Sequence, residues 1–109
     1  MSGETLVSVV VPTYNSEETI AVCLNSIKRQ QYSNIEIIIV DNHSADQTRE
    51  IAKGFGKVYN KGPERSTQRN FGAKNANGDY LFFVDSDMEL SSNVIEECVK
   101  KVLEGGLDF

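Results

Sequence analysis

The sequence predicts an α/β fold, a mainly parallel sheet layered between helices, and three observations predict it. Short runs rich in β-branched residues alternate with stretches of helical periodicity, the pattern of βαβ units. The run Tyr80-Leu81-Phe82-Phe83-Val84 is apolar without alternation, which suits a parallel strand covered on both faces. The strand candidates run into polar turn chemistry, at Thr13-Tyr14-Asn15-Ser16, Asp41-Asn42-His43-Ser44, Asn60-Lys61-Gly62-Pro63 and Asp85-Ser86-Asp87.

Each element follows from its residues. Residues 1–5 read as a disordered leader, with the folded unit running from 6 to 109. Leu6 to Val11 is β-branched and ends at Pro12, which fits a first buried strand. Asn15-Ser16 offers an N-cap, and Glu17-Glu18 suit the start of a helix dipole. Ile20, Cys23, Leu24 and Ile27 then form one apolar stripe, in a helix ending near Gln30. Ile35 to Val40 is the second strand. Ser44 with Gln47 makes a capping box for a short helix through Lys53, and Gly54 and Gly56 break it. Lys57 to Tyr59 is a short third strand, and a helix from about Ser66 to Asn75 stops at Asn77-Gly78. After the fourth strand, Ser91-Ser92-Asn93 cap a last helix striped by Ile95, Cys98, Val99 and Val102, which Gly105-Gly106 ends.

Composition narrows the function. The chain of 109 residues makes one domain at most, with 39% hydrophobic and 25% charged residues. A net charge of −5 argues against nucleic acid, which needs basic patches. No apolar stretch approaches the roughly 18 residues of a membrane span. Cys23 and Cys98 fall on apolar helix positions and read as reduced, buried thiols. A cytoplasmic location, or the cytoplasmic face of a membrane, is expected.

Right-handed crossovers bring the loops after all four strands to one edge of the sheet. Those loops carry Thr13, Tyr14 and Asn15, then Asp41 and Asn42, then Lys61 and Arg65, then Asp85 and Asp87. The set offers something for each part of a nucleotide. Asp41 can accept a base N–H, Tyr14 can pack on a ring, and Asp85 can take ribose hydroxyls. Arg65 and Arg69, at i and i+4, can extend from one helix face toward phosphates. An acidic protein repels a diphosphate unless a divalent cation lies between them, and oxygen ligands favour Mg²⁺ or Mn²⁺. If the chain stays extended, Asp85 and Asp87 share a face roughly 6–7 Å apart, one carboxylate holding the metal directly. Blander roles stand beside these: the two aspartates as caps of the last helix, Asp41 as a turn cap, the arginines as a solvated face, Tyr14 as packing, and His43 as a bystander.

Several stretches together resemble the family 2 glycosyltransferases, whose fold is called GT-A. They are Val9-Val10-Val11-Pro12-Thr13-Tyr14-Asn15, Glu18 before a helix, Ile38-Ile39-Val40-Asp41, Arg69-Asn70 with Gly72, and Gly78-Asp79-Tyr80 before Asp85-Ser86-Asp87. The resemblance runs from Leu6 onward and implies a Rossmann-like three-layer α/β/α fold binding a nucleotide-diphosphate sugar, UDP- or GDP-linked, with Mg²⁺ or Mn²⁺. It implies that Pro12, Thr13, Tyr14 and Glu18 lie around the base or ribose and that Asp41 contacts the base. It places Asp85 near the ribose and diphosphate and Asp87 on the metal, with a general donor-binding role for Arg65 and Arg69. The reaction it implies is sugar transfer to an acceptor hydroxyl, with inversion.

Two departures qualify the likeness. The family often has a second aspartate and a glycine after the Asp41 position, where Asn42 and His43 stand here. Family members also continue through an acceptor-binding half that carries the catalytic base, so residues 6–109 correspond to the donor half and the base is expected beyond Phe109. The GT-A order puts the fourth strand at a border of the sheet, which predicts self-association through that edge. Two rivals use the same aspartates: a haloacid-dehalogenase-type phosphatase with a nucleophilic Asp85, and a non-catalytic receiver-like or nucleotide-sensing module with Asp41 as phosphoacceptor.

Overall fold

The computed structural model describes residues 5–104, and within them strands and helices alternate strictly. The order is β1 (Val7–Thr13), α1 (Ile20–Lys28), β2 (Ile35–Asp41), α2 (Thr48–Ala52), β3 (Lys57–Asn60), α3 (Arg65–Lys74), β4 (Tyr80–Phe83) and α4 (Val94–Leu103). The leader assigned to residues 1–5 lies outside the described residues apart from Thr5, as do the expected stop at Gly105-Gly106 and everything after it. Among the described residues no helix is long and apolar enough to cross a membrane.

The sheet runs β3-β2-β1-β4 and every pair is parallel. Strand β1 is central, in register with both neighbours: Val10 lies opposite Ile38 on one side and Phe83 on the other. Alternation along the strands divides the interior in two. Val7, Val9, Val11, Ile37 and Ile39 pack with Ile20, Cys23, Leu24 and Ile27 of α1, Ala52 of α2, and Ile95 and Val99 of α4. Val10, Ile38 and Val40 form a thinner core on the opposite face, under Phe71 and Ala76. This is the three-layer α/β/α arrangement. Helix α3 sits close on its face because Gly72 has no side chain; a Cβ there would stand 2.5 Å from Val10 Cγ1.

Several local expectations need correction. Strand β1 continues through Pro12 to Thr13. Val10 O accepts from Val84 N while Thr13 O accepts from Asn42 N, so alternate residues face β4 and β2. Pro12 falls on the β4 side, past the end of β4, where its missing N–H costs nothing. Helix α1 starts later than Asn15-Ser16 implied, with Thr19 as N-cap, so Glu17 and Glu18 precede its first turn. The capping box does not form: Ser44 turns back to Asp41, and Asp46 Oδ1 accepts from Thr48 N instead. Nor does Asn93 cap α4 with its side chain; the free N–H of Ile95 donates to Gln30 Oε1 from the end of α1, at 3.0 Å.

Among the described residues, strand β4 is covered on one face only. Leu81 and Phe83 are 42% and 45% exposed, because α3 packs over β1 and β2 and leaves the border strand open. The chain also does not stay extended past Val84. Met88 N donates to Asp85 O at 3.0 Å and closes a turn over Ser86 and Asp87. The extended-strand spacing of the two aspartates therefore does not apply.

Candidate functional site

The loops at the carboxyl ends of the strands are tied to one another side chain by side chain. Asp41, the last residue of β2, is fully buried. Its Oδ1 accepts from Thr13 Oγ1 and from Ser44 Oγ, each at 2.6 Å, and its Oδ2 accepts from Ser44 N at 2.8 Å. Arg49 Nε stands 3.8 Å from Oδ2. A buried carboxylate needs such partners to stay charged, and here they come from β1, from its own loop and from α2.

The same loops interlock beyond Asp41. Asn15, at φ 47°, donates its N–H to Ser44 Oγ at 2.7 Å and accepts from Ala45 N at 2.9 Å through Oδ1. Ser16 N donates to Thr48 Oγ1 at 2.7 Å, and the Ser16 and Ser86 hydroxyls meet at 2.9 Å. That last bond joins the first loop to the turn carrying the paired aspartates. From the other face, Arg69 Nη2 lies 3.9 Å from Asp85 Oδ1, an ion pair open to solvent on both sides. Cys23 is held beneath: its thiol donates to Asp85 O, and burial, then Asp87, then Asp85 push its pKa up to about 11.

The expected residues fall at this edge in different states. Pro12 and Thr13 are buried in β1, Tyr14 is 60% exposed just after it, and Asp87 is exposed in its turn. Arg65 opens α3 and is exposed. Glu18 is exposed before α1 and stands apart from the network; its neighbour Glu17 accepts from Gln47 N at 2.9 Å instead. Neither Asp85 nor Asp87 caps a helix, since α4 begins only at Val94. The receiver-like reading fails on geometry, because an aspartate that is 0% exposed with both oxygens engaged cannot meet a phosphodonor.

Among the described residues no group of three or more His, Cys, Asp or Glu side chains comes together. Asp85 and Asp87 offer oxygen donors only, and both lie near enough to the Cys23 thiol for their charge to raise its pKa. That set fits a hard cation that takes its other ligands from water and a diphosphate.

Sequence reasoning missed Ser16, Ser44, Arg49 and Gln68. One of them carried a signal. Gln68 is a polar residue on the same stripe as Phe71 and Gly72, a core position needing buried hydrogen bonds.

A family model described as Glycosyl transferase family 2 matches residues 8–109. A glycosyltransferase of Streptococcus pneumoniae serotype 4, GlyA, is 37% identical over 94% of this chain and 16% of its own length. The crystal structure of S. aureus TarS 1–349 in complex with UDP-GlcNAc superposes with a TM-score of 0.81 and 34% identity, covering 91% of this chain and 31% of that one. Glucosyl-3-phosphoglycerate synthase of Mycobacterium tuberculosis, in complex with Mn²⁺, UDP and glucosyl-3-phosphoglycerate, gives 0.75 and 26%, over 91% and 40%. The chain spans less than half the length of each of these relatives.

Proposed function

The chain belongs to glycosyl transferase family 2, and on that premise we propose that it forms the donor-nucleotide half of a metal-dependent glycosyltransferase. The observation that carries this reading is the interlocked carboxyl edge, where Thr13, Asp41, Ser16, Ser86, Arg69 and Asp85 connect three strands and α3. In open parallel sheets that edge is where ligands bind.

In this reading Tyr14, exposed beside Thr13, packs on the base, and the first two loops shape its pocket. Asp41, buried with both oxygens engaged, acts on the base through the geometry it imposes on Thr13 and Ser44 and not by the direct contact the resemblance implied. Asp85 meets the ribose or diphosphate, and Arg69, already beside it, turns to the phosphates, with Arg65 one turn earlier adding charge. Asp87 and Asp85 would hold Mg²⁺ or Mn²⁺, which when bound supplies neutralising charge for the leaving diphosphate. The acceptor hydroxyl is deprotonated by a base outside these residues, and attack opposite the diphosphate inverts the sugar carbon. The donor is a UDP- or GDP-linked sugar, and two free thiols suit a reducing, cytoplasmic setting.

Calorimetry with UDP, GDP and CDP, each with and without Mn²⁺, tests the reading. Binding of one diphosphate, strengthened by Mn²⁺, is the expected outcome. Absence of binding for all three would overturn it.

A further inference from the structure

Helix α3 meets the sheet through two residues one turn apart. Gly72 fits against Val10 and Val40. Gln68, four residues earlier, is 4% exposed and reaches the carboxyl ends of two strands. Its Nε2 donates to Thr13 O at 2.9 Å and to Val40 O at 2.7 Å. Thr13 closes β1, and Val40 is the penultimate residue of β2. Thr13 O also accepts from Asn42 N at 2.9 Å, so the amide takes up remaining acceptor capacity there. Both hydrogens of the side-chain NH₂ are used. A glutamate at this site would set oxygen against two carbonyl oxygens, an asparagine is one methylene short, and a lysine would bring a buried charge.

Resting on the donor-site reading above, we propose that Gln68 is a positioning residue for nucleotide binding. It clamps the carboxyl ends of β1 and β2 to each other and to α3. Thr13 and Asp41 are register partners, and their side chains already share a hydrogen bond. The clamp fixes the same pair of strand ends through their backbone. Tyr14 and Asn42 follow directly, so the distance between the two base-side loops depends on it. The neighbouring Arg69 lies on the same turn of α3, and its approach to Asp85 is set by the same anchor. The pairing of β1 with β2 runs over seven residue pairs and does not depend on Gln68. Losing the clamp therefore loosens the site more than the fold.

The test is UDP binding in the presence of Mn²⁺ by the whole chain, set against thermal stability, for wild type, Gln68→Met, Gln68→Glu and Val99→Ala. Methionine keeps the length and removes both donors, and Val99 is a core residue of α4 beside Val7 and Tyr80, away from the loops at the carboxyl edge. We expect Gln68→Met to bind at least about tenfold more weakly. Val99→Ala should lose stability, yet stay within about twofold of the wild-type affinity. Gln68→Glu should bind poorly at neutral pH and regain affinity relative to wild type as pH falls, because a protonated carboxyl restores one donor. Wild-type affinity in Gln68→Met would overturn the inference and leave the donor site standing. A loss shared in proportion with Val99→Ala would also overturn it, and so would a Gln68→Met chain that no longer folds, since the clamp would then serve the fold alone. Failure of the wild type to bind would overturn the donor-site reading itself, and this inference with it.

Discussion

At the residue scale the paired aspartates and Asp41 ask for different experiments. Asp87 is exposed and free to take a cation, so Asp87→Asn should abolish the Mn²⁺ dependence of nucleotide binding and leave melting unchanged. Asp85→Asn should weaken binding less, because it also frees Arg69 for the phosphates. Titration of both variants with UDP, with and without Mn²⁺, checks the pair. Asp41 is buried among three donors, so Asp41→Ala should cost stability as well as affinity, by about 1–3 kcal/mol for the donors left unpaired. Chemical denaturation reads that loss, and a variant as stable as wild type would contradict it. His43 answers a question the sequence raised. It stands where the family often has glycine, and its φ is 48°, the left-handed region that glycine enters without penalty. His43→Gly should accordingly stabilise the chain by about 1 kcal/mol, seen as a raised melting temperature. Motif order singled these residues out in the sequence. Their burial was not legible there, because burial of Asp41 depends on Thr13, Ser44 and Arg49 arriving from three separate elements.

At the element scale the periodic helices α1 and α4 were legible: the whole stripe of α1 is buried in the main core, while α4 buries Ile95 and Val99 and leaves Cys98 and Val102 half-buried. Their caps were not, because the partner comes from far along the chain, as Gln30 does for α4. The same holds at the sheet's opposite end, where Glu36 accepts from Ser8 Oγ at 2.5 Å and from Asn77 N at 2.6 Å, pinning the turn before β4. Burial works against the charged form of Glu36 and is outweighed by the Ser8 hydroxyl, the Asn77 backbone and side chain, and then Lys57, which hold its pKa below the ordinary glutamate value. A pKa depressed by folding contributes stability that is present above the unfolded value of about 4.3 and is lost as pH falls through the folded value. Glu36→Gln should therefore flatten the acid limb of a stability-against-pH curve, and an unchanged limb would show that Glu36 contributes nothing. Among the described residues strand β4 borders the sheet, pairs with β1 alone, and exposes Leu81 and Phe83 on one face. An identical strand from a second copy supplies both the missing backbone partners and an apolar face, so we expect association that grows with concentration and is lost in Phe83→Lys. Sedimentation across a concentration series decides this, and a strictly monomeric wild type would contradict it.

At the scale of the whole molecule, the sequence showed four loops converging on one edge, because parallel βαβ units leave them nowhere else to go. It did not show that the loops are stitched together by their own side chains, through Ser16 and Ser86, Asn15 and Ser44, and Gln68. Preorganisation of this kind lowers the ordering cost of binding. In a chain of net charge −5, a cation held at Asp85 and Asp87 would make a diphosphate welcome at that edge. On the proposed reading, metal and nucleotide bind together where the four loops meet. Paramagnetic broadening of backbone amide signals by substoichiometric Mn²⁺, with and without UDP, tests that location directly. Broadening is expected to centre on Ser86, Asp87 and Met88, to reach Asn15 and Ser16 and to be strengthened by UDP, while Asn77 and Gly78 at the far end of the sheet stay sharp. Broadening centred elsewhere, for instance on the acidic pair Glu96 and Glu97 in the first turn of α4, or indifferent to UDP, would contradict this placement.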